Sequence, residues 1–134
     1  MGRARHIYGL VLALSLGTAN AAPGQSSSAT WQSTPASILK STLRSVVAAQ
    51  DKYRATHPGF ASSVEALRVS PGADVKVQIL GVTPSGWRAK ATHKARPGRS
   101  CVVFVGKLRA TEFPRTEGGE MAGEERVPLC DRME

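Results

Sequence analysis

The chain has 134 residues, 18 Lys and Arg against 10 Asp and Glu, a formal net charge of +8 and only 5% aromatic residues. That length suffices for one modest domain and is too short for two. Its two cysteines stand 29 residues apart with no CxxC or HxxxH nearby, which excludes a zinc-type site by spacing.

Arg3, Arg5 and His6 form a positive head, residues 7–16 an apolar stretch, and Ala19-Asn20-Ala21 a small-residue cleavage site. This is the pattern of a secretory signal peptide over residues 1–21. The apolar run is about half of the roughly 20 residues that a spanning helix needs. Ala22 follows the cut, so no lipidation cysteine is left there. The expected product is exported, periplasmic or extracellular, with no membrane span after signal cleavage. Removing residues 1–21 leaves 113 residues, 16 bases and 10 acids, hence a charge of +6.

Residues 22–33 are small, polar and turn-rich and read as a flexible leader. Trp31 either folds back from it or is an exposed contact. Residues 34–134 then form the domain. Thr34 as cap and Pro35 at the first helical position open a helix over 35–56. Ile38, Leu39, Leu43, Val46, Val47 and Tyr53 recur along one stripe of it. His57-Pro58-Gly59 stops it, because the residue before a proline avoids the helical region. Ser62 and Glu65 have capping-box spacing and predict one further helical turn, pinned by Phe60, Val64 and Leu67.

The period then changes from helical to two. Val75, Val77 and Ile79 mark a first strand. Trp87, Ala89, Ala91 and His93 mark a second, alternating with Arg88, Lys90, Thr92 and Lys94. Arg96-Pro97-Gly98-Arg99 has Pro and Gly at the two centres of a turn. The third strand, Cys101 to Val105, is apolar on both sides, so a second layer must cover it. Val127 and Leu129 are the expected cover, from a Glu- and Gly-rich tail that reads as a solvated loop.

The fold class is therefore α+β: one long N-terminal helix packed on a three-stranded antiparallel meander. In an exported domain, Cys101 and Cys130 pair by default and close the C-terminal loop. The alternative is one buried and one exposed thiol.

The order of these segments resembles the globular domain of type IV pilins and type II secretion pseudopilins. The likeness runs from about Ser37 to Phe104. Val47-Ala48-Ala49-Gln50-Asp51-Lys52-Tyr53 looks like the end of the pilin helix. His57-Pro58-Gly59-Phe60-Ala61-Ser62-Ser63-Val64-Glu65-Ala66-Leu67 looks like the helix-to-sheet loop, and Gly86 to His93 like the second strand. A Cys101–Cys130 pair is similar to the cystine-bounded C-terminal loop of many pilins. The resemblance implies a structural or interaction domain associated with a secretion or pilus assembly. The chain departs from the family in its leader. The prepilin signal, the spanning helix that follows it and the Glu at its fifth position have no counterpart here. A cut after Ala21 implies a pilin-like domain released from the fibre. The calcium site of some pseudopilin tails is not carried over, since residues 112–125 hold Glu but no Asp.

The remaining chemistry is electrostatic. Residues 88–109 carry seven bases and no acid, whereas residues 110–134 carry seven acids and three bases. Arg88, Lys90 and Lys94 on the second strand, Lys76 on the first, and Arg96 and Arg99 at the turn compose a candidate polyanion- or DNA-binding patch, strands being about 4.8 Å apart. The acidic tail is placed to lie over part of it. His57 reads as a helix stop and His93 as a core-edge residue. Neither has a partner at triad spacing, and the cysteines, if paired, are not nucleophiles. The sequence therefore points to no catalytic residues, no metal and no cofactor. A clefted site around His93 or Glu65 is what an enzyme would require.

Overall fold

The computed structural model describes residues 33–133. The expected signal peptide and the leader up to Gln32, Trp31 included, lie outside the described residues.

The first helix, α1, spans Pro35–Thr56. Thr34 caps it, its Oγ1 accepting the backbone N–H of Ser37 at 3.1 Å, and extended backbone at His57 ends it before Pro58. Leu39, Leu43 and Val46 are fully buried and Val47 nearly so. Ile38 and Tyr53, from the same stripe, are only half-buried.

A short helix, α2, covers Val64–Leu67. Its cap is Ser63 rather than the expected Ser62: Ser63 Oγ accepts the N–H of Ala66 at 3.3 Å. Both serines have plausible spacing. Ser63 is the extended residue directly before the first helical residue, Val64, so its hydroxyl reaches the N–H three positions on. Arg68 closes α2 in the left-handed region, at φ 56°.

Four strands follow: β1 (Val75–Thr83), β2 (Gly86–His93), β3 (Ser100–Gly106) and β4 (Leu129–Cys130). They lie in the order β1-β2-β3-β4, each antiparallel to the next. The expected meander of three strands is thus corrected to a sheet of four. β4 has only two residues, too few for an alternation that a period-two reading detects. It forms because Cys130 is the register partner of Cys101 and is bonded to it by a disulfide.

One face of the sheet packs on α1. Trp87, Ala89, Ala91 and Val103 meet Leu39, Leu43 and Val46, with Val75, Val77 and Ile79 closing the side. Burying each of the Leu and Val side chains fully stabilises the fold by roughly 1.5–3 kcal/mol, and each Ala methyl by less. The other face of β3 carries Val102 and Phe104. Ala122, Leu108, Phe113 and Leu129 cover them, and the Phe104 and Phe113 rings meet edge-on at 5.1 Å. Leu129 is part of this cover as expected. Val127 is not, and stands 43% exposed. The cause is local: Arg126 is left-handed, at φ 68°, and a turn from Glu124 to Val127 directs Val127 outward.

Candidate anion-binding site

The end of β2 and the start of β3 are joined by the turn that Pro97 and Gly98 predict. Arg99 N–H donates to Arg96 O at 3.2 Å, and Gly98 supplies the positive φ of 77° that a turn of this kind requires at its second centre. Lys94 N–H donates to Asp74 O at 2.9 Å, continuing the β1–β2 ladder past His93. The start of β1 and the turn thereby enclose an open depression of about 560 Å³.

Four of the six basic residues proposed from sequence line this depression: Lys76, Lys94, Arg96 and Arg99. All four are exposed. Lys76 is the register partner of Thr92, so Lys94, two residues beyond, lies diagonally across the ladder at about 7–8 Å on the Cα scale. Arg96 is partly committed, its Nε donating to Met133 O at 2.8 Å and its NH1 to Ala95 O at 3.0 Å. Asp74 and Glu117 are the acids of the lining.

The other two expected members are engaged elsewhere. Arg88 donates to the backbone O of Glu112 at 2.7 Å. Lys90 donates to Glu117 Oε1 at 3.1 Å, with its side chain only 18% exposed. The acidic loop after β3 thus lies over the middle of the sheet and covers these two bases, leaving the end of the sheet open.

That loop is not wholly solvated, and here sequence reasoning missed a residue. Asp131 is 4% exposed. Its Oδ2 accepts the N–H of Ser100 and of Gly118, each at 3.0 Å, and its Oδ1 accepts a short hydrogen bond from the Thr116 hydroxyl. Burial alone would raise this carboxyl. The Thr116 hydroxyl, the two backbone N–H donors and the nearby Arg99 guanidinium outweigh burial and hold it below the usual aspartate value. Its one trace in the sequence is its position directly after Cys130, which the disulfide pins to β3.

A second groove, of about 790 Å³, runs between α1 and α2. It is lined by Ala48, Ala49, Leu67 and Val69 together with Lys52 and Arg68. His57 stacks on Tyr53 there, with ring centroids 3.8 Å apart. His93 accepts the N–H of Ala95 on Nδ1 at 3.0 Å, and Glu65 is exposed on α2.

Comparison with protein-family models and with curated proteins finds no match for this chain. Its chemistry therefore rests on its own residues. Among the described residues, no helix is long and apolar enough to cross a membrane, and no group of three His, Cys, Asp or Glu residues could hold a metal ion. The Cys101–Cys130 disulfide is compatible with an exported protein.

Proposed function

We propose that this chain is an exported, non-enzymatic interaction domain of pilin-like build that works with a type II secretion or type IV pilus assembly. The observation that carries this reading is the packing of α1 on an antiparallel sheet whose last strand is tied to β3 by the Cys101–Cys130 cystine. That arrangement agrees with the fold the pilin resemblance implies. The helix packs through Leu39, Leu43, Val46 and Val47, while Lys40, Arg44, Lys52 and Arg54 border or occupy its outer surface. These outer residues and the α1–α2 groove are the surfaces for protein partners.

Two measurements test the reading. N-terminal sequencing of the exported product should begin at Ala22, and the product should fractionate away from membranes. A photo-cross-linking residue placed at Lys52 should form adducts with a subunit of a secretion or pilus assembly. An uncleaved, membrane-embedded product would reject the exported form. Adduct formation confined to unrelated proteins would reject the partnership.

A further inference from the structure

We propose that the depression at the β2–β3 turn binds a phosphodiester chain, with Lys76, Lys94 and Arg99 making the contacts. The inference does not depend on the pilin-like reading.

Three observations converge on it. Charge is the first. The depression gathers four cations and two acids, and one of the acids, Glu117, is paired with Lys90 behind it. Even with Asp131 buried behind Arg99, the balance is positive and directed to solvent, because Lys76, Lys94 and Arg99 are exposed.

The second is the manner in which the cations are presented. Arg96 already spends part of its guanidinium on Met133 O and Ala95 O, so it has less to offer a ligand than the other three. What remains are two ammonium groups acting as point charges and one guanidinium, all groups that bind phosphate oxygens. The diagonal placement of Lys76 and Lys94 gives two such contacts in a row, comparable with the separation of successive phosphates along a strand.

Shape is the third. The depression is open rather than enclosed, and the one ring in its lining is that of half-buried His93, whose Nδ1 already accepts the N–H of Ala95. No Phe, Tyr or Trp lines it to serve as a stacking platform, and Trp87 is buried in the core instead. Recognition is therefore of the backbone and independent of base sequence. Solubilising lysines on a sheet are the competing explanation. They predict that the positions of the charges do not matter, which distinguishes the two.

The test uses the full exported chain and a short, mixed-sequence DNA duplex, followed by fluorescence anisotropy across a salt series. About three neutralised phosphates give a slope of log affinity against log salt near −2.7 between about 50 and 200 mM. The double variant Lys76→Ala, Lys94→Ala should flatten the slope to about −0.9 and weaken binding at least about tenfold at the low-salt end. Lys107→Ala with Arg109→Ala removes equal charge from the exposed segment after β3 and should leave the slope unchanged, with circular dichroism confirming that both variants fold. A parallel arm with inorganic polyphosphate separates the sources. Binding of both probes, lost together in the Lys76/Lys94 variant, supports recognition of phosphoryl chains in general. Binding of the duplex alone supports a nucleic acid. Equal losses in both double variants, binding only to phosphatidylglycerol vesicles, or no salt-dependent binding of either probe would overturn the proposal and leave the pilin-like reading untouched.

Discussion

The side-chain amide of Gln50 and the backbone of Ala61 exchange two hydrogen bonds of 2.8 Å each. Gln50 is fully buried on α1 and Ala61 is 2% exposed in the loop toward α2. The amide therefore does for this loop what a neighbouring strand does for a sheet: it satisfies one donor and one acceptor at once. It holds the chain leaving α1 back against the helix, and so positions the α1–α2 groove.

Replacing Gln50 by Leu keeps the volume approximately and removes both bonds. Ala61 N–H and C=O are then left buried without partners, at a cost of about 2–4 kcal/mol. We expect the unfolding free energy from denaturant titration to fall by that amount, with a lower midpoint and an unchanged m-value. A loss below about 0.5 kcal/mol, the level of an ordinary surface change, would show that the pair does not anchor the loop.

Asp131 makes stability depend on acid. Its carboxyl is held below its unfolded value in the native state, so its contribution is fully present above the unfolded value of about 3.9 and is lost as pH falls through the lowered native value. Wild-type Tm should therefore drop below about pH 4. Asp131→Asn should be less stable at neutral pH and should lose less on acidification over the same window. Parallel Tm profiles for the two proteins would refute the assignment.

Removal of the cystine tests the C-terminal closure. Cys101 and Cys130 are 29 residues apart, and releasing a loop of that length costs about 3–4 kcal/mol in the chain-entropy account. The Cys101→Ala, Cys130→Ala variant should lose about that much on thermal unfolding. Hydrogen exchange should quicken first at residues 114–131, because β4 and the Asp131 contacts close the same loop. Uniform quickening across α1 as well would mean that the loop and the core open as one unit.

Gly86 and Gly106 face each other as register partners at the end of the β2–β3 ladder. A Cβ on Gly106 would meet the carbonyl oxygen of Ser85, and one on Gly86 that of Val105. Gly106 also sits at φ +93°, where a side chain is strained by about 1–3 kcal/mol. Gly106→Ala should cost at least that and should disturb chemical shifts at Ser85 and Gly86. The open Gly72, with nothing within 4 Å of an added Cβ, should accept Ala with little change.

Local chemistry determined much of this protein. The Thr34-Pro35 start, the stop at His57-Pro58 and the apolar stripe between them set α1 at its observed bounds, because capping and proline geometry act within a few residues. Alternation at Val75–Ile79 and Trp87–His93 likewise placed β1 and β2 and their core-facing sides. What the tertiary structure alone decided is where the C-terminal segment goes. β4 exists by its pairing with β3, Val102 and Phe104 are covered by Ala122 and Phe113, and Asp131 is drawn into the interior by donors 13 to 31 residues away. The same segment divides the basic residues, covering Arg88 and Lys90 while leaving Lys76, Lys94 and Arg99 exposed. Such contacts join residues distant along the chain and leave no periodic mark on it, since their energy appears only once the sheet and the cystine have brought the partners together.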